Sequence, residues 1–328
     1  MAVYTAIDNP ELYMQVKLYT GTGSSLSVTL DGDEDMQPDM IWIKARNAQE
    51  NHAVFDAVRG ATKYVKPDET AAEVTDTNSL SAFNSDGFTV VSDGKTGTNA
   101  RTYAAWNWKE SATAGFDIAN FTGNGSARTI SHSLSAVPKM IITKNLNTTS
   151  SWTVYNHTVG ATKYFYLNTN GDLADWVGHW NDTEPTSSVF TVGTDASTNG
   201  DGNVIVAYCF ADVQGFSKFG SYTGNGNANG TFVPLSFRPA FILTKGTSVV
   251  SDWVLLDNKR NVFNTVTGQL QANKSDAESS TDSVDFLSNG FKVRNQYDSL
   301  GSSGNTYIYA AFAEAPFVNS NGVPCNAR

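Results

Sequence analysis

The chain of 328 residues has little cysteine, little charge and no long apolar run. Two cysteines, Cys209 and Cys325, are too few for a disulfide framework. Cys209 sits in the apolar run VIVAYCFADV and reads as part of a buried strand. Cys325 lies in the last four residues, so we expect it free or joined to another molecule rather than to Cys209. Charged residues make up only 16%, and their balance is −10. An acidic surface repels phosphate backbones, which argues against nucleic acid as a partner. No apolar stretch approaches the roughly 20 residues of a membrane-spanning helix. The opening MAVYTAIDNP lacks the basic-then-apolar order of a secretory signal. His52, His132, His157 and His179 fall at no metal-ligand spacing. Phosphate loops, nucleophile elbows and CxxC pairs are missing as well. The acids are many, but no two stand out as the paired carboxylates of a glycosidase. We therefore expect no enzyme, no cofactor and no metal centre.

What the chain has is aromatic residues, at 12%, and glycine, at 27 positions. That mixture suits short strands joined by tight turns. It is also repetitive. YTGTG at Tyr19–Gly23 returns as FTGNG at Phe121–Gly125 and as YTGNG at Tyr222–Gly226. PDMIWIK at Pro38–Lys44 matches PKMIITK at Pro138–Lys144 and PAFILTK at Pro239–Lys245, at offsets of 100 and 101 residues. HAVFD at His52–Asp56 matches WTVYN at Trp152–Asn156 and WVLLD at Trp253–Asp257. SDGFTV, SSVFTV and SNGFKV follow, and each unit closes on an aromatic run: TYAAWNW, VIVAYCF and TYIYAAF. Ordered blocks at constant spacing establish internal repetition.

Within a unit the apolar period is two. Met40 and Trp42 point one way and Ile41 and Ile43 the other, as in strands covered on both faces. Turn clusters recur at the rhythm of a sandwich, giving about six or seven strands per unit. A repeat near 100 residues exceeds a solenoid rung and matches a self-contained sandwich. The expectation is an all-β protein of three tandem β-sandwich (jelly-roll-like) repeats at 16–113, 114–215 and 216–317. A short N-terminal helix or arm (1–15) precedes them and a C-terminal tail (318–328) follows. The helix is expected at AIDNPELYMQ, capped by Asp8 or Asn9 with Pro10 in first position. Short linkers predict a stiff row of sandwiches; the alternative is three units sharing one core around an axis.

Four groups are candidate sites. Asp31, Asp33 and Asp35 have DxDxD spacing, a candidate calcium loop, but Met36 and Trp42 stand where an EF-hand needs Gly and Glu. Trp176 and Trp180 would stack on sugar faces if exposed, although Trp180 aligns with Phe83 and Phe286, which read as core. Asp56 with Arg59, and Asp257 with Arg260, read as pairs that hold a turn.

The blocks YTGTG, PDMIWIKAR, HAVFDAVRGATKYV, SAFNSDGFTVVSD and TYAAWNWKE together resemble a repeat of virion structural proteins from tailed bacteriophages, especially marine ones. Such repeats often accompany SPRY-like modules in tail-fibre and other surface proteins. The closing IYAAFAEAPFVNSNGVPCNAR resembles the C-terminal end of that family, whose members usually lack a cysteine at the place of Cys325. The resemblance runs from Val16 through nearly the whole chain and is strongest in the first unit and the tail. It implies a β-rich virion component, on capsid or tail fibre, with other virion proteins as partners. It carries no catalytic residues and implies a homo-oligomer, by analogy a trimer. Binding of a host surface glycan is compatible with the same fold, as is a polysaccharide depolymerase if two acids face each other across a cleft.

Overall fold

The computed structural model describes residues 4–325. The ends of the expected arm and tail, 1–3 and 326–328, lie outside the described residues. The protein is all-β. Helix among the described residues is confined to a 3-10 turn at Pro10–Leu12 and single α-turns at Val177–Trp180 and Ala196–Asn199. The first of these is capped as its sequence predicts: Asn9 Oδ1 accepts from the Glu11 N–H at 3.1 Å, with Pro10 at the start.

Each third of the chain folds on one plan. In the first, the strands Met14–Thr20, Thr102–Trp108, Met40–Ala45 and Ala53–Asp56 lie side by side in that order, all antiparallel. A second sheet, Leu26–Val28, Gly87–Val90 and Leu80–Asn84, covers one face of the first. In the second third, Phe116–Thr122, Val204–Phe210, Met140–Asn145 and Thr153–Asn156 repeat the order, covered by the pair Arg128–Ser131 and Val189–Val192. In the last third the two layers run into one continuous eight-stranded sheet, from Ser217–Thr223 through Thr306–Pro316 and Phe237–Gly246 to Phe232–Pro234.

The period of two explains the layering. Along Met40–Ala45, residues Ile41, Ile43 and Ala45 pack into the unit's own sandwich, and Met40 and Trp42 pack on the opposite side. Along Val204–Phe210, Ala207 and Cys209 face the unit's own layer, and Val206, Tyr208 and Phe210 face away from it. The far sides of all three main sheets meet in one apolar core that draws on residues from every third of the chain. Its centre is a triangle of equivalent positions. Trp108 and Phe210 have ring centroids 6.5 Å apart, Trp108 and Phe312 5.7 Å, and Phe210 and Phe312 5.8 Å, all edge to face. Three equivalent residues in mutual contact lie around an axis. The expected stiff row is therefore replaced by its alternative, a closed ring of three units around one core. The periodicity was compatible with both, because a strand covered on both faces does not say what covers the second.

Candidate functional site

Polar side chains join the units where they meet, and the contacts of one equivalent position run in one rotational sense. Trp152 Nε1 of the second unit donates to Lys66 O of the first at 2.8 Å. Trp253 Nε1 of the third donates to Tyr166 O of the second at 3.0 Å. His52 of the first, in the same slot, reaches Gln271 O of the third at 3.0 Å and Lys274 O at 3.1 Å. Three main-chain bonds follow the same cycle, Ser150 N–H to Thr70 O (2.9 Å), Ser251 N–H to Asn170 O (3.2 Å) and Glu50 N–H to Ser275 O (2.8 Å), and two return across it, Glu73 N–H to Leu146 O (2.9 Å) and Glu278 N–H to Arg46 O (2.7 Å). Beside them, Lys144 and Lys245 are buried and donate to Thr70 O and Asn170 O of the neighbouring unit. Burial lowers both lysines to about 8.

The two Asp–Arg pairs belong to these junctions. Arg59 Nε lies 2.5 Å from Asp56 Oδ2, and Arg260 Nε 2.6 Å from Asp257 Oδ2, all four side chains being buried. Each guanidinium also donates to the strand behind it, at Val54 O and Leu255 O. The carboxylates then accept from the next unit: Asp56 Oδ2 from Tyr208 Oη at 2.7 Å, and Asp257 Oδ2 from Trp106 Nε1 at 3.0 Å. The third junction lacks this set. Asn156 stands where the others have Asp, Val159 where they have Arg, and Ala310 where they have Trp106 and Tyr208. The whole set is present or absent together, because a buried carboxylate needs its counter-ion and donors. Sequence reading found the pairs but not their cross-unit donors, since register across a junction leaves no local pattern.

The other candidates do not converge. Asp31, Asp33 and Asp35 are all exposed, and Asp31 pairs with Lys17. Among the described residues no three His, Cys, Asp or Glu side chains come together as a metal site. The tryptophan pair is split. Trp176 is 51% exposed, whereas Trp180 is buried against Tyr155 at 5.9 Å. Trp180 is thus corrected from sugar platform to core; it fills the place of Phe83 and Phe286 at the price of an indole N–H without a partner. Cys209 is buried, Cys325 is partly buried, and both are free thiols.

One cluster that the sequence did not flag brings serine, histidine and aspartate together. His179 Nδ1 lies 3.4 Å from Ser197 Oγ and 3.6 Å from Asp195 Oδ1, with Tyr166 Oη 3.4 Å from Nε2. A nucleophile triad needs serine and carboxylate on opposite ring nitrogens. Here both are on Nδ1, and Ser197 Oγ donates to Asp195 at 2.6 Å. Asp195 is the N-cap of Ala196–Asn199, accepting from the Ser197 N–H. Burial holds His179 down to about 4, with Asp195 opposing. The cluster is a helix cap closed over a neutral imidazole. The cavity on the axis, about 30 Å³ and lined by side chains such as Met40, Trp108, Met140 and Phe312, has room for about one water and no polar group to hold it. Among the described residues, no helix is long and apolar enough to cross a membrane.

Fold and junctions together define an all-β protein whose three sandwich-like units close on a common core. The chain belongs to the family described as a domain of unknown function (DUF7483), whose pattern matches residues 9–316. No curated protein matches it.

Proposed function

We propose that the protein is a non-enzymatic structural component of a bacteriophage particle, displayed on its capsid or tail fibre and held there by other virion proteins. The observation that carries this reading is the closed ring. The buried Asp–Arg sets, the lysines Lys144 and Lys245 and the indole N–H groups of Trp152 and Trp253 join one unit to the next, which suits a rigid body better than a reaction centre. The motifs resembling the phage repeat are the ones that build this body: the TGxG turns, the PxxIxxK strands and the closing aromatic strands. Segments near both ends meet at one place, where Asp8 accepts from Ser320 through side chain and main chain. That is a compact place for an attachment. The reading keeps the expected homo-oligomer of this chain, by analogy a trimer, as the form displayed on the particle. The test is peptide mass spectrometry of washed, density-purified particles, with the chain located by electron microscopy. A stoichiometric virion protein is expected, in hundreds of copies for a decorator or tens for a fibre, as orders of magnitude set by particle symmetry. Absence from purified particles overturns the reading.

A second reading, binding of a host surface glycan, is favoured by the exposure of Trp176. A glycan array comparing the protein with Trp176→Ala tests it; identical profiles would remove Trp176 from consideration.

A further inference from the structure

Two of the three junctions are backed by the chain itself: residues 112–117 join the first unit to the second, and 214–218 join the second to the third. The junction between the third unit and the first has no such link. It is a seam held by non-covalent contacts alone. At this seam the inter-unit tryptophan of the other junctions is replaced by His52.

His52 is fully buried. Its Nδ1 lies 2.8 Å from Trp42 Nε1. An indole N–H can only donate, so Nδ1 must be the unprotonated acceptor and Nε2 must carry the hydrogen. That hydrogen is what crosses the seam to Gln271 O and Lys274 O. The contact therefore needs a neutral ring in one tautomer. A second proton would go on Nδ1, facing the indole N–H, and would place a cation in the core. The surroundings do not welcome that cation. Burial, with the charges of Lys44 and Arg260, depresses the imidazole to about 3, and its carbonyl partners offset this only in part.

We propose that the seam between the first and third units is an acid-operated latch, opened by protonation of His52 while the other two junctions stay shut. The sign follows from linkage. The imidazole is neutral in the closed seam down to about 3, whereas in an open, hydrated seam it would titrate near its ordinary 6.5. Above that ordinary value neither state binds the proton, and the latch has its full strength. Below it the open state takes the proton first, and the closed state loses ground until the pH reaches the depressed value. At about pH 4.5 the open seam gains about 100-fold in relative population. Other titratable groups face the same place. Asp68 accepts from the His52 N–H, and burial lifts it to about 6. Its hydrogen-bond partners Asn51 and His52 belong to its own unit, so its protonation breaks none of these bonds across the seam. Lys274 is paired with Asp252 within the third unit. Glu278 crosses the seam to Arg46 at 2.9 Å, and also reaches Arg260. Lys44 lies among Asp68, Glu50, Asp276 and Arg101, with burial lowering it to about 8.

The test is amide hydrogen exchange of the intact protein at about pH 7 and about pH 4.5, corrected for intrinsic rates. Two amides report the seam, Glu50 and Glu278, whose N–H groups bond Ser275 O and Arg46 O. Ser150 and Ser251 report the other junctions. Protection of Glu50 and Glu278 should fall roughly 100-fold in acid, with little change at Ser150 and Ser251. His52→Gln keeps an acceptor and a donor but does not titrate, so it should abolish the difference. His52→Trp, which copies the other junctions, is the second variant should the first fold poorly. Equal loss at all three junctions overturns the latch. So does an acid loss that persists in His52→Gln, which would belong to Glu278 instead.

Discussion

At the scale of single residues, the third junction is an internal control for the other two. Asp56→Ala strips a buried guanidinium of its nearest carboxylate and should cost about 3–5 kcal/mol. Asn156→Ala, at the equivalent place, loses only the acceptor of the Thr158 N–H and hydroxyl and should cost about 1 kcal/mol. Urea denaturation midpoints compare the two, and equal losses would mean that the Asp56 set adds nothing to its junction. The tryptophans give a second contrast. Trp180→Ala should cost about 3–5 kcal/mol, the price range of emptying a core aromatic site. Trp176→Ala should stay within about 0.5 kcal/mol, as exposed positions do. Sequence alignment already hinted at this split by placing Trp180 over two phenylalanines. It had no means of saying which way Trp176 faced, because exposure within a short loop depends on the layer beneath it.

At the scale of elements, the TGxG turn shows how much a local pattern can tell. Its second glycine has a φ of 71° at Gly23, 66° at Gly125 and 68° at Gly226, values that favour glycine. Its first glycine is required by crowding: a β-carbon on Gly123 would lie 2.2 Å from Gly200 O. Gly123→Ala should therefore destabilise by roughly 1–3 kcal/mol through displaced backbone, read as a lowered thermal midpoint; an unchanged midpoint would show that the facing turn yields freely. The aromatic head of the motif packs inside its unit. Tyr19 stacks on Tyr103 at 5.1 Å and Tyr222 on Tyr307 at 5.2 Å, each within its own unit. Strands, turns and the N-cap at Asn9 could be read because their signals are local. The junctions could not. They join residues far apart in sequence, such as Trp106 and Asp257, and only the closed arrangement brings them together.

At the scale of the whole molecule, the shared core sets how the protein unfolds. A row of independent sandwiches would melt in separate steps. A ring whose units bury their inner faces on one another should melt in one step at neutral pH, where all three junctions are closed and the core is shared. Calorimetry at neutral pH should show a single transition with matching calorimetric and van't Hoff enthalpies; resolved steps would mean that the units are energetically separate.

The triangle of Trp108, Phe210 and Phe312 carries a last consequence. In an assembly of three identical chains every substitution appears three times, so the residues around the axis can change only in unison. Here each corner is encoded separately, and one corner already differs from the other two. Inheritance can therefore write asymmetry into a threefold body one site at a time, refining one side while the remaining two preserve the shape.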